Sequence, residues 1–141
     1  MEILVNNGTL AATLIEAGEY STEFESGTIN NDGSNQYNTK RARSVYINRI
    51  ASYPYVGVDL GSLSEDITGI DLMTYNSEGT LVNRNQYNTA LWGQKNILLA
   101  SNEVKFRFSL KYTDERQVTS TELASMDANV KVIISDSATR S

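Results

Sequence analysis

The stretch that most constrains the fold is residues 104–113, with the sequence VKFRFSLKYT. Apolar and polar residues alternate through it without a break. In an extended strand this pattern places five apolar side chains on one face and five polar ones on the other. A helix would scatter the apolar side chains around its circumference. The pattern therefore predicts a long antiparallel strand with one face against a core and the other facing solvent.

Shorter runs rich in β-forming residues lie on both sides of this strand, separated by turn residues and polar loops. They predict strands at residues 24–29, 41–47, 56–58, 67–75, 80–82, 96–99 and 130–134. Residues 30–38 and 83–93 are predicted to be polar loops. The sequence TSTE at 119–122 has the spacing of a capping box, which predicts one helical turn at 123–127.

Many short strands, frequent turn signals and almost no helix are typical of an all-β antiparallel β-sandwich, or jelly roll, here with one short helical turn near the C-terminus. We assign residues 1–22 to an N-terminal connecting segment, 23–135 to the jelly-roll domain and 136–141 to a C-terminal tail. Within the first segment, residues 9–17 fit a short capped helix and a buried strand equally well.

The composition argues against several classes of function. The 141-residue chain has 17 acidic and 12 basic residues and a net charge of -5, whereas a nucleic-acid binder needs a basic surface. It contains no cysteine, which excludes disulfides and thiolate metal sites, and no histidine, the commonest general base and metal ligand. No apolar run approaches the ~20 residues of a membrane-spanning helix, so we expect neither a nucleic-acid nor a membrane partner.

The order of motifs resembles that of a known family. The chain contains, in order, FESGTIN, RARSVYI, IDLMTYNSEGTLV, EVKFRFSLKY, TSTEL and VKVII. This resembles the jelly-roll, carbohydrate-binding-module-like domains in tail and baseplate proteins of phages that infect Gram-positive bacteria, and is most similar to the accessory baseplate proteins of lactococcal siphophages. The resemblance implies a virion protein that acts outside the cell. Its implied partners are host cell-wall saccharide and other baseplate proteins.

Saccharide binding needs aromatic faces that stack on a pyranose and planar polar groups that pair with its hydroxyls. The predicted loops supply both kinds of group. The candidate ligand-binding residues are Trp92, Tyr87, Tyr53, Tyr55, Arg84, Asn85 and Gln94. An alternative interpretation is that Trp92 closes one end of the sandwich with Tyr87 packed beside it. Tyr53 and Tyr55 are expected to share one side of an extended segment.

Two sets of basic residues have two interpretations each. Arg41 and Arg43 would share a strand face, where they form either a clamp for a carboxylate or phosphate, or ion pairs with acids such as Glu25 or Asp32. The predicted solvent-facing side of strand 104–113 carries a basic row of Lys105, Arg107 and Lys111. It is either a solvated sheet face or a platform for a phosphorylated saccharide.

We expect no enzyme. Asp59, Glu65, Asp66 and Asp71 do not have a spacing that indicates the carboxylate pair of a glycoside hydrolase. We expect no cofactor, although the loop at 31–35 has oxygen ligands suited to a structural calcium as well as to a plain turn. The sequence thus predicts a non-catalytic saccharide-binding module of a phage tail or baseplate. The alternative is a structural domain that binds other phage proteins.

Overall fold

The structure, a computed structural model, describes residues 5–6, 9–10, 17–88 and 92–139. Most of the elements in these ranges are strands, and they also include an α-helix, α1 (Ser120–Asn129), and a 3-10 turn at Gly61–Leu63. In chain order the strands are β1 (Val5–Asn6), β2 (Thr9–Leu10), β3 (Gly18–Ser21), β4 (Phe24–Ser26), β5 (Thr28–Ile29), β6 (Asn35–Gln36), β7 (Ala42–Ser44), β8 (Tyr46–Asn48), β9 (Tyr55–Asp59), β10 (Ile67–Tyr75), β11 (Leu81–Asn88), β12 (Ile97–Leu98), β13 (Lys105–Tyr112) and β14 (Lys131–Ser135).

Most of the described strands belong to two sheets that face each other across one core. In the described part of the chain, the large sheet has the order β1-β2-β8-β13-β10-β11, with β7 also paired to β13 and β4 paired to β7. The small sheet has the order β12-β9-β14-β3. Among the described strands, every pair is antiparallel except β2 with β8. Strands β5 and β6 form a separate hairpin, the covering hairpin. The predicted all-β antiparallel sandwich is confirmed.

The core lies between the two sheets and is built from the alternating residues of their inner faces. Strand β13 contributes Phe106, Phe108, Leu110 and Tyr112, all at most 2% exposed. The small sheet contributes Val56, Val58, Val132 and Ile134 to the same cluster. Burial of each such side chain contributes roughly 1.5–3 kcal/mol. The apolar face predicted for residues 104–113 is therefore confirmed.

The solvent-facing side predicted for the same strand is wrong at its centre, since Arg107 is 2% exposed and Ser109 5% exposed. The covering hairpin lies over them. The Arg107 guanidinium donates from Nη2 to the Gly33 carbonyl (2.8 Å), from Nη1 to Asn35 Oδ1 (2.6 Å) and from Nε to the Tyr75 hydroxyl (2.9 Å). Polar alternation along a strand indicates one polar face, but it does not tell whether another segment covers that face.

A second, smaller apolar cluster lies beneath the covering hairpin. It consists of Ile29, Met73 and Tyr75, with Tyr46 and Leu81 packed at its edge. Burial raises the pKa of the Tyr75 hydroxyl, which donates to the Gly33 carbonyl at 2.8 Å. The outer face of the large sheet is thus dry under the hairpin and polar beyond it.

The structure corrects three further predictions: the loop at 83–93, the length of the helix and the N-terminal boundary. The predicted loop 83–93 is wrong as far as residue 88, because β11 pairs with β10 at seven positions and this ladder overrides the weak β propensity of its asparagines. Residues 89–91 lie outside the described residues. The capping box at Thr119 and Glu122 is confirmed, but it begins a ten-residue helix rather than one turn.

The predicted boundary of the N-terminal connecting segment at residue 22 is also wrong. Gly18–Ser21 pairs with β14 inside the small sheet, and Tyr20 is 4% exposed in the core. The choice between helix and strand at residues 9–17 is partly answered, because Thr9–Leu10 is a strand, while residues 11–16 lie outside the described residues. In the tail, Thr139 forms a β-bridge to Lys95.

Replacement of Arg107 by methionine tests what holds the covering hairpin. The Tyr75, Asn35 and Gly33 acceptors lose a buried donor, so we expect a loss of roughly 1–3 kcal/mol in the free energy of unfolding. Amide hydrogen exchange at Asn30 and Gly33 should accelerate, because these amides bond only within that loop. Arg116→Met, which removes an exposed arginine, is the control. Unchanged exchange and stability in Arg107→Met would contradict this role.

Candidate functional site

A polar groove lies on the outer face of the large sheet, beside the covering hairpin. It consists of two clefts of about 190 and 370 Å³ that share Thr28, Arg41 and Arg84. Gly69, Asp71, Ser109 and Lys111 of β10 and β13 line the first cleft, and the hairpin and its flanks line the second. Amide, hydroxyl and charged side chains dominate both linings.

Arg84 is fixed in the groove by bonds to both the sheet and the hairpin. Its Nη2 is 3.2 Å from Asp71 Oδ2, while Nη1 donates to Asn31 Oδ1 at 3.0 Å and to the Ile29 carbonyl at 3.3 Å. Gln86 Nε2 approaches the same Asp71 oxygen at 3.4 Å. The Arg84 cation is therefore matched by one carboxylate.

The charge of Arg43 is neutralised by a carboxylate that lies outside the groove lining. Arg43 forms an ion pair with Glu25 at 2.5 Å and donates to the Thr28 carbonyl (2.9 Å) and the Gln36 carbonyl (3.2 Å). A Cβ at Gly27, where φ is +129°, would lie 2.2 Å from the Arg43 Nη1, so glycine is required there. The ion-pair interpretation is confirmed for Arg43, which supports the hairpin instead of forming a clamp with Arg41.

Arg41 and Lys111 have no ion pair among the residues that the structure describes. Arg41 donates only to the neighbouring Lys40 carbonyl, at 3.3 Å, and both side chains are half-buried in the groove lining. The groove thus presents two unmatched cations together with the Arg84–Asp71 pair.

Of the predicted ligand-binding residues, only Arg84 lines the groove. Asn85 pairs with Leu72 of the core and so lies on the opposite face of β11. Gln94 is exposed in a turn after Trp92.

Tyr53 and Tyr55 are both half-buried. Tyr55 begins β9 in the small sheet, whereas the groove lies on β10 and β13 of the large sheet. The shared degree of exposure expected for Tyr53 and Tyr55 is confirmed.

Trp92 is a core residue in this structure. It is 1% exposed, its Nε1 donates to the Ile70 carbonyl at 3.3 Å, and its ring meets Phe108 edge-on at 5.6 Å and Tyr87 at 5.3 Å. Tyr87 is half-buried against the same cluster. A ligand has no access to the Trp92 face, so its assignment as a binding residue is corrected to the alternative, an aromatic that closes the core.

An exposed aromatic that was not among the predicted binding residues is a chain neighbour of the groove lining. Tyr37 is 86% exposed and lies between Gln36 and Asn38, which both line the second cleft. Its position in a predicted polar loop indicated that Tyr37 could be exposed, but the chain has seven other tyrosines, and the sequence does not show which of them lies near the groove. The polar positions of β10 and β13 gave the other signal, because Asp71, Ser109 and Lys111 face away from the core.

The loop at 31–35 forms a turn closed by Asp32, whose Oδ1 accepts from the Ser34 hydroxyl (2.6 Å) and backbone (3.0 Å). These bonds lower the pKa of Asp32. In the described ranges, no group of three or more Asp, Glu, His or Cys side chains is placed to hold a metal. No helix in the same ranges is long and apolar enough to cross a membrane.

A further cleft, of about 420 Å³, lies over the small sheet, with Glu19, Asp59 and Asn96 among its lining residues. Its charged lining residues are both carboxylates. It therefore offers hydrogen-bond acceptors to sugar hydroxyls, but its described lining residues include none of the guanidinium donors of the groove.

Comparison with known proteins gives no family for this chain. No family model matches the sequence, and no match was found among curated proteins or among solved structures.

Replacement of Trp92 by alanine tests its position in the core. We expect a loss of roughly 3–5 kcal/mol in unfolding free energy, typical of a large aromatic removed from a core. Tyr37→Ala is the matched control and should leave the melting temperature unchanged, because that ring is exposed. Chemical denaturation measures both. A Trp92→Ala variant as stable as the unmodified protein would contradict the core assignment.

Proposed function

We propose that this domain is a non-catalytic saccharide-binding module of a phage tail or baseplate that aids adhesion to the host cell wall, and that the groove is its binding site. One observation carries the proposal: amide, hydroxyl and guanidinium side chains line a sheet-face groove, and the exposed Tyr37 lies in the chain between two of its lining residues, Gln36 and Asn38. Planar polar groups pair with sugar hydroxyls, and an exposed ring can stack on the apolar face of a pyranose.

The phage assignment comes from the resemblance in the order of motifs. An open groove fits the use of many copies, because each module makes a modest contact and gains effective affinity when several are displayed together. A tail or baseplate supplies such a display.

The absence of catalysis is supported by the charge pattern of the groove. Glycoside hydrolysis requires two carboxyl groups about 5–10 Å apart. Among the described residues that line the groove, Asp71 is the single carboxylate, and it is bound to Arg84 and Gln86.

A structural role in the baseplate is the second candidate. Leu98 is 56% exposed on β12, which is an edge strand of the small sheet in the described chain. An exposed leucine on a strand edge suits contact with another protein. Under this alternative, Leu98→Ser would abolish binding to a baseplate protein and the domain would not bind cell walls.

A pull-down on purified Gram-positive cell walls tests the proposed site. Tyr37→Ala should weaken retention about tenfold, equivalent to about 1.4 kcal/mol, through the loss of stacking. Tyr55→Ala is the matched control and should bind normally, because Tyr55 lies in the small sheet. Lack of retention of the folded protein on every wall tested, or full retention of Tyr37→Ala with loss in Tyr55→Ala, would contradict the proposal.

A further inference from the structure

We propose that the ligand of the groove is an anionic saccharide, whose phosphate or carboxylate group binds Arg41 and Lys111. This inference rests on the proposed saccharide-binding function and specifies the chemical class of the ligand. Its basis is the charge, pairing and shape of the groove.

The charge of the groove is opposite to that of the chain. The whole sequence has 17 acidic and 12 basic residues. The two clefts of the groove are lined by three cations, Arg41, Arg84 and Lys111, and by one carboxylate, Asp71. A local excess of positive charge on an acidic protein attracts anions to that one place while the remaining surface repels them.

Ion pairs with carboxylates distinguish the cations that support the fold from the cations that are available to a ligand. Arg43 is matched by Glu25 and Arg84 by Asp71. Arg41 and Lys111 line the same cleft, and neither has a carboxylate partner within the described ranges. A guanidinium and an ammonium that converge on one cleft form charge-assisted hydrogen bonds with an oxyanion.

The floor of this cleft leaves space for the rest of a sugar. A Cβ added at Gly69 would meet no atom within 4 Å, so the cleft is open above that residue. The Thr28 and Ser109 hydroxyls lie 3.5 Å apart at its wall. Asp71 and Gln86 supply an acceptor and a donor for neutral hydroxyl groups, while the unmatched cations supply the site for the charged group.

The polymer itself provides the test. Wall polysaccharide is purified from the strain whose walls retain the unmodified protein best. It is then compared intact, after removal of phosphate, after reduction of carboxyl groups and after both treatments. We expect at least tenfold weaker retention on the doubly treated polymer. Loss on dephosphorylation alone identifies phosphate as the bound group, and loss on carboxyl reduction alone identifies carboxylate.

Variants connect this loss to the two cations. Arg41→Gln and Lys111→Gln should each weaken binding to intact polymer about fivefold and have little effect on binding to the doubly treated polymer. Lys95→Gln is the matched control, because Lys95 is exposed at its bridge to Thr139, away from the groove. Gly69→Leu should fill the cleft and reduce binding to every form of the polymer while the melting temperature stays unchanged.

The outcomes separate the two proposals. Equal retention on intact and doubly treated polymer would overturn the anionic ligand and leave saccharide binding in place. Normal binding by both Arg41→Gln and Lys111→Gln would likewise overturn the assignment of the anion to these residues. Lack of retention on any form of the polymer would overturn both proposals together.

Discussion

The outer face of the large sheet depends on one buried cation, Arg107. In the described part of the chain its hydrogen-bond partners are neutral: a hydroxyl, a carbonyl and an amide oxygen, with the Tyr46 ring centroid 4.4 Å from its guanidinium carbon. A buried charge is costly unless hydrogen bonds replace its hydration. Because the Gly33 carbonyl and Asn35 belong to the covering hairpin, the hairpin must stay on the sheet to satisfy the arginine. Its own two-residue strands are too short to hold it there.

Three arginines on three strands of the large sheet hold this hairpin. Arg43 on β7, Arg84 on β11 and Arg107 on β13 each donate to a carbonyl of the segment from Thr28 to Gln36. Their function is structural, and two of them have a carboxylate partner. Arg41 and Lys111 lie next to this arrangement without such a partner in the described chain. The same covering segment therefore forms one wall of the groove and leaves available the cations that our proposal assigns to the ligand.

The sequence predicted the inner half of this protein well and the outer half poorly. Alternation placed β13 almost to the residue, because burial against a core imposes a period of two on residues such as Phe106 and Phe108. The run of β-forming residues at 67–75 placed β10 equally well. The burial of Arg107 under the covering hairpin was not predictable, because a buried polar residue and a solvated one give the same alternating sequence pattern. Trp92 was ambiguous for a related reason: residues 83–93 are polar enough to resemble a loop, yet residues 83–88 belong to β11, and Trp92 lies in the core. The groove combines residues distant in sequence, and only the sheet register brings Asp71, Ser109 and Arg84 together.

Binding at the outer sheet face is the central claim, and nuclear magnetic resonance measures it directly. The ¹⁵N-labelled protein is titrated with oligosaccharide released from the wall polymer that retains it, and backbone amide shifts are followed. Our account predicts that the largest shifts occur at Gly69, Ser109 and Lys111 and in the loop that contains Tyr37. Shifts confined to Tyr53, Tyr55 and Gln94, with the groove amides unmoved, would contradict it.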